Sequence, residues 1–364
     1  MEKYYLAAIC MAEQIGCARA KQLLNCFGSA KTIWQLPKDD LMGAKLPTFV
    51  IESLVNLRRS NPNCPEKIFE YCSSKKIKIC GIKDSDYPPR LAIIPDAPAL
   101  FYYKGSLMPD VNRIAIVGTR RATRYGENVA MRLGSDIANK GVTVVSGAAI
   151  GIDTFAHIGA LKTGRTVAVL GAGLDTHFTS DKKRLLDQII ENGAVISEYS
   201  PRTPSNKGTF PHRNRIIAGL SHGVVVVEAG DRSGALNTAQ HAGNFGRLLF
   251  AIPSNLYSEQ SRGCHALIRD GAILARNAND ILEDCKVQMN SEIIERAATS
   301  ELPALNAKEQ LVYDVIPNDM GISDEEILMK LDDITPVELS SILLSLEMNE
   351  YITVDSVGNY IRTY

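Results

Sequence analysis

IAIVGTRRATRYGENVAMRLGSDIANKGVTVVSGAAIGID, residues 114–153, decides the fold. It opens on a four-residue apolar run, Ile114–Val117, that breaks at Gly118-Thr119-Arg120-Arg121. A helical stretch follows, and then a second apolar run, Val142–Val145, that breaks at Ser146-Gly147. A continuous apolar run is what a strand buried on both faces requires. The helix between the two runs is what carries a chain back to start a parallel strand. The pattern repeats downstream at Val167–Leu170, Val195–Ile196, Val224–Val227 and Leu248–Ile252. Residues 81–285 are therefore expected to form an α/β domain, a Rossmann-like doubly wound parallel sheet. Its Pro-rich lead, SDYPPRLAIIPDAPALFYYKGSL (residues 85–107), is expected to drape irregularly over the sheet edge.

On the N-terminal side, residues 1–80 read as short helices broken at Gly16, Gly28-Ser29, Pro37 and Pro47. Leu6, Ile9 and Ile15 begin an apolar face, and Ala20, Leu23, Leu24 and Phe27 continue it at helical spacing. IGCARAKQLLNCFGSAKTIWQL (15–36) has the helix–tight turn–helix pattern of SAM or helix-hairpin-helix modules. There, amides at a helix start can face a phosphate. A small bundle that only packs gives the same pattern. On the C-terminal side, residues 286–301 carry no strand pattern and read as a linker. Residues 302–364 read as three helices, near Ala307–Ile316, Ser323–Leu331 and Pro336–Asn349, then two short strands around Ser356-Val357-Gly358. That order describes a winged helix.

Composition narrows the function classes. With 45% hydrophobic and 22% charged residues, the 364-residue chain has the make-up of a soluble protein of two or three domains. No apolar run is long enough for a transmembrane helix. The start, MEKYYLAAICMAEQIG, reads as a folded helix rather than a signal peptide. Eight cysteines without a CxxC pair argue against a zinc knuckle and suit a reducing, cytoplasmic setting. The net charge of -1 hides an asymmetry. Lys and Arg outnumber Asp and Glu by 12 to 7 over residues 1–80 and by 23 to 19 over 81–285, whereas 302–364 holds 3 against 12. A phosphate-binding function belongs in the first 285 residues.

Within the sheet domain, five polar or Gly-rich sequences fall at predicted strand ends, the rim where open α/β sheets bind ligands. Gly118-Thr119-Arg120-Arg121 suits an anion beside a helix start and is not the GxGxxG of a dinucleotide site. Ser146-Gly147 through Gly151 offers close backbone approach, with Asp153 placed to cap the next helix. Gly171-Ala172-Gly173-Leu174-Asp175 is the third. In Phe210-Pro211-His212-Arg213-Asn214-Arg215, two guanidinium forks flank an Asn at a helix start. The competing reading is buried arginines paired with Glu198 or Glu228. The fifth, Glu228–Gly234, opens a helix with Ser233-Gly234. Together they describe a polyanion rim. No Walker A, GxSxG or HExxH motif is present, the six histidines lack metal spacing, and no nucleophile–base set assembles.

IAIVGTRRATRYG, VVSGAAIGIDTFAHIGAL, TVAVLGAGLD, ISEYSP, FPHRNRIIAGLSHGVVVVEAGDRSGALNTAQHAGNFGRLLFAIP and GCHALIRDGA resemble, in order and spacing, the DprA/Smf family, bacterial DNA-processing proteins of natural transformation. The flanking helical module and winged helix resemble those of its three-part members. The resemblance implies a protein that is not an enzyme, binds single-stranded DNA without sequence preference, acts as a homodimer and loads RecA. It implies no cofactor, no metal and no membrane partner. Ile150 stands where the family has a basic residue, His177-Phe178 where it has Tyr-Pro, and Ser254 where it has Gly.

On this basis the strand is expected to meet Gly118, Thr119, Arg120, Arg121, Ser146, Gly147, Gly151, Ser233 and Gly234. Arg213, Asn214 and Arg215 are expected to clamp phosphates, and Phe178 and Phe210 to stack on bases. Leu267 and Ile268 are expected at a dimer interface. The acidic winged helix is expected to contact protein rather than DNA, because its third helix, PVELSSILLSLEMNE, has no basic residue. The alternative is a nucleotide-binding or nucleoside-monophosphate phosphoribohydrolase-like enzyme of the same fold family. The catalytic Glu of that pattern has no counterpart in LNTAQH.

Overall fold

The structure is a computed structural model and describes residues 1–108, 111–287, 305–317, 321–331, 333–349, 351–354 and 358–362. Six helices open the chain: α1 (Glu2–Cys10), α2 (Cys17–Phe27), α3 (Ala30–Gln35), α4 (Lys38–Leu41), α5 (Thr48–Ser60) and α6 (Cys64–Ser74). Their apolar faces meet around Ile9, Leu23, Ile33, Leu41, Ile51 and Leu54, all fully buried. The same core continues into Tyr102, Leu170 and Val195 of the sheet, so the helical module and one sheet face share their apolar contacts.

The sheet follows with β1 (Lys78–Gly81), a short α7 (Pro89–Ala92) and β2 (Leu100–Gly105). Next come β3 (Arg113–Val117), α8 (Arg124–Asn139), β4 (Thr143–Ser146), α9 (Ile152–Thr163), β5 (Thr166–Val169), α10 (Ser180–Asn192) and β6 (Gly193–Ser197). The second half is α11 (Thr209–Leu220), β7 (Gly223–Val226), α12 (Ala235–Asn244), β8 (Leu248–Ala251), α13 (Arg262–Arg269), β9 (Ile273–Leu274) and α14 (Ala278–Asp284). The nine strands lie in the order β1-β2-β6-β5-β4-β3-β7-β8-β9. From β6 to β9 every pair is parallel. Central β3 sets the register, with Ile114 opposite Val144 of β4 and Gly223 of β7. All five of its residues are buried, as its continuous apolar run requires. Strand order reverses between β3 and β7, which makes the rim there the topological switch point of a doubly wound sheet.

One expectation needs correction. The second half of the Pro-rich lead, LFYYKG, is not draped over the edge but enters the sheet as β2. It pairs antiparallel with β6 (Tyr102 opposite Ser197) and with β1 (Tyr103 opposite Lys78). Leu100–Tyr103 are buried on both faces, so no polar–apolar alternation marks the strand in the sequence.

The C-terminal unit comprises α15 (Ala307–Val315), α16 (Asp324–Leu328), α17 (Pro336–Met348) and the hairpin of β10 (Ile352–Val354) with β11 (Tyr360–Arg362). Asn306/Glu309, Ser323/Glu326 and Thr335/Glu338 form a capping box at each helix start. Val312, Ile327, Leu339, Leu343 and Ile352 give the unit a core of its own. Most of the 286–301 linker and the turn residues Ser356 and Val357 lie outside the described residues. Among the described residues no helix is long and apolar enough to cross a membrane.

Candidate nucleic-acid interface

Three of the amide cradles that look ready for phosphate already hold a carboxylate of the protein. At the start of α8, Glu228 accepts from the Thr123 amide (2.9 Å) and hydroxyl (2.5 Å). Gly126 leaves the space for it, since a Cβ there would run into the Glu228 carboxylate. In the second loop, Asp153 accepts from the amides of Gly147 (3.1 Å) and Ala149 (3.4 Å). Asp153 thus braces the loop and does not cap α9, whose N-cap Gly151 has no side-chain cap. In the helical module, Glu2 accepts from the amides of Ala30 and Lys31 and the hydroxyl of Ser29, at the start of α3. The turn in 15–36 forms as expected, but its anion position is taken. Burial raises the carboxyl pKa of both Glu228 and Asp153; Thr123 opposes the shift at Glu228, and Arg213 opposes it at Asp153.

Several candidate glycines and hydroxyls serve packing. The Thr119 amide donates to the Glu228 carbonyl (2.7 Å), and Ser146 Oγ donates to the Ile116 carbonyl (2.6 Å). A Cβ on Gly118 would meet the Ile152 side chain. Gly151 has φ +87° and packs against Thr119 and Arg120, so no other residue fits there.

The expected clamp divides. Arg215 is 1% exposed. Its Nη2 donates to both oxygens of Glu198 at 2.7 Å, and its Nε lies 3.2 Å from Asp96 Oδ2. Arg215 is therefore not available to a phosphate: it is buried, and its Nη2 and Nε engage Glu198 and Asp96. Arg213 is 4% exposed and faces the rim from below. Its guanidinium donates to the carbonyls of Gly147 (2.7 Å) and Val169 and to Asn214 Oδ1 (3.2 Å), tying β4 to β5. Gly147 makes room for it, since a Cβ there would lie 2.5 Å from Nη1. Asn214 donates to the Gly234 carbonyl (3.3 Å) and Asn237 Oδ1 (3.2 Å), which fixes the start of α12.

What the rim offers a ligand is a knot of cations. Arg120 and Arg121 are exposed. Lys182, in the first turn of α10, reaches back toward Arg213, Arg120 and Asp153. Burial, followed by the charges of Arg213 and Arg120, pushes its pKa down to about 8, against the pull of Asp153. Arg213 is pushed down to about 10 by burial, with Arg120 contributing and Asp153 opposing. Burial is the larger cause of both shifts, and Asp153 partly offsets the repulsion among these cations. Sequence reading missed Lys182, because nothing in DKKRLLDQ shows which Lys turns inward. Two rings flank the knot: Phe210 with the Arg120 guanidinium 5.0 Å from its centroid, and Phe178 with Lys182 Nζ at 5.5 Å. Phe178, His177 and Asp175 line a cleft of about 240 Å³. Exposed Ile150 stands at the same rim. Gly234, at the start of α12, has open space where a Cβ would be, and Ser233 beside it is half-buried. Leu267 and Ile268 are half-buried and pack partly on the chain's own sheet core.

Fold and rim define a DNA-handling protein built on a doubly wound sheet. The model of the family DNA recombination-mediator protein A matches residues 78–286, and the chain belongs to that family. It is 42% identical to DNA processing protein DprA of Streptococcus pneumoniae over 212 residues, 58% of this chain and 75% of that protein. It is 35% identical to protein Smf of Synechocystis over 292 residues, 77% of this chain and 72% of that protein. Among solved structures, DprA from Streptococcus pneumoniae superposes with a TM-score of 0.68 at 33% identity, covering 80% of this chain and 99% of that one. DNA processing protein A from Helicobacter pylori, described for its single-stranded DNA binding mode, superposes with a TM-score of 0.52 at 28% identity, covering 57% and 95%. The chain is thus a DNA-processing recombination mediator.

Proposed function

We propose that this protein binds single-stranded DNA along the strand-end rim without reading its sequence, shields it, and passes it to a RecA-type recombinase. The observation that carries the reading is the pair of exposed Arg120 and half-buried Lys182, each set against an aromatic ring and backed by buried Arg213, whose positive charge a phosphate neutralises. Arg121 and the open start of α12 extend the path. Phe178 and Phe210 supply π-faces that accept any base. No catalytic residue, metal or cofactor enters the reading. Nothing in the rim favours the phosphoribohydrolase alternative: Glu228, the carboxylate nearest that motif, is turned onto Thr123. Two copies joined through the surface around Leu267 and Ile268 would place two rims on one strand. We assign residues 1–80, 81–285 and 302–364 to the helical, strand-binding and winged-helix units, with the first boundary moved back so that Lys78–Cys80 join the sheet as part of β1.

The test is a titration of the full chain with single- and double-stranded oligonucleotides of equal length over a range of salt. Preferential, steeply salt-dependent binding of the single strand supports the reading. Equal affinity for both, or hydrolysis of a nucleoside monophosphate, overturns it.

A further inference from the structure

A second cleft, about 300 Å³, lies between the helical module and the sheet domain. One face of α6 forms its inner wall: Cys64, Ile68, Tyr71 and Cys72 recur at helical spacing, with Tyr102 and Pro201 opposite. Buried Cys64 and Cys72 and half-buried Ile68 leave the floor apolar, while Met11, 48% exposed, stands at its edge. Cations mark the mouth. Lys67 and Arg202 line it and are exposed, and Lys75, the C-cap of α6, lies about two turns beyond Lys67. The carboxylate facing them, Asp175, is already engaged: it accepts from the Tyr71 hydroxyl and lies 3.5 Å from Lys75 Nζ. Glu66 and Glu70 sit on the other face of α6.

This cleft adjoins the rim. The Arg202 guanidinium stacks 4.5 Å from the Tyr71 ring centroid, and its Nε donates to the Tyr71 oxygen (3.0 Å). Tyr71 in turn holds Asp175, which lines the Phe178 cleft. The Tyr71–Asp175 pair is thus a shared wall between the two. A strand leaving the rim past Phe178 would meet Lys75, Arg202 and Lys67, cations able to neutralise its phosphates. Beside them is a slot of small-molecule size with an apolar floor and an aromatic side, which suits one flat ring system.

We propose that this cleft takes one unstacked base of a DNA single strand, with Lys67 and Arg202 on the neighbouring phosphates, so that the helical module is part of the strand-binding surface. The assignment rests on strand binding at the rim, and the experiment separates the two. The full chain and its Ile68→Phe and Met11→Glu variants are titrated with oligothymidylates of increasing length. Ile68→Phe fills the slot; Met11→Glu sets a carboxylate at its exposed edge, where folding is not at stake. Both variants should match the unmodified chain on short oligonucleotides. On longer ones they should lose about tenfold, the worth of one stacked base. In the unmodified chain, an oligonucleotide carrying 5-iododeoxyuridine should cross-link to Tyr71 or Met11 on irradiation. Unchanged affinity of Met11→Glu at every length, with cross-links confined to the rim, overturns the cleft assignment and leaves rim binding standing. Absence of single-strand binding by the unmodified chain at any length removes both.

Discussion

Glu228, just past the end of β7, and Thr123, the N-cap of α8, are joined twice: the carboxylate accepts from both the amide (2.9 Å) and the hydroxyl (2.5 Å). The sheet thus supplies the anion for its own helix start. On the proposed reading phosphate binding falls to the side-chain cations beside that cradle, and stability acquires a pH signature.

That signature has a definite sign. Burial raises the Glu228 pKa above its ordinary 4.5, so over the window from 4.5 up to the raised value the folded chain holds a proton that the unfolded chain has released. The stabilisation is full below 4.5 and is lost as pH rises through that window. E228Q should therefore unfold in urea with a flatter pH dependence than the unmodified protein across the weakly acidic range. Identical profiles would show that Glu228 is ionised without cost.

Arg215→Ala should act on stability and not on DNA. It strips partners from Glu198 and Asp96 and should cost about 3 kcal/mol, the usual loss on breaking a buried pair. The folded variant should keep the salt dependence of strand binding. Urea midpoints and binding slopes measured on one preparation check both halves.

Lys182 gives the interface its own pH dependence. With its pKa near 8, it sheds its proton just above neutrality, whereas a bound phosphate holds the proton on. Single-strand affinity should fall as pH rises from 7 to 9. Lys182→Arg should flatten that fall, because a guanidinium stays charged throughout. A fall of equal size in both proteins would assign it to another group.

Removing residues 302–364 should leave single-strand affinity equal or higher. The unit holds 3 basic against 12 acidic residues, and α17, the helix a winged-helix fold offers to a groove, has none that is basic. Val337, Leu344 and Met348 are exposed on it. A large loss of affinity in a folded 1–301 chain would return the unit to the DNA-binding surface.

The parallel strands were legible because strands buried on both faces are written as apolar runs, and β3, β4, β5 and β7 follow those runs closely. β2 was hidden by the prolines before it. β9 is only two residues long, too short for a pattern. The site was legible in its location more than in its contacts. Gly and Ser at a helix start look alike in sequence whether the amides serve a ligand or an internal carboxylate. The partners at these starts, Glu2, Asp153 and Glu228, differ in their distance along the chain. The Arg213-Asn214-Arg215 triplet looked like one clamp, but helical rotation sends adjacent residues in different directions: Arg215 toward Glu198, Arg213 toward the rim.

The most direct test of the cation knot is the salt slope of single-strand affinity for the unmodified chain against Arg120→Ala/Arg121→Ala/Lys182→Ala. These three side chains are predicted to neutralise strand phosphates. The slope should therefore shallow by about 2, at roughly 0.7 for each phosphate left without its cation, equally for every strand sequence. A folded triple variant with the slope of the unmodified chain would contradict the account and place the strand elsewhere on the protein.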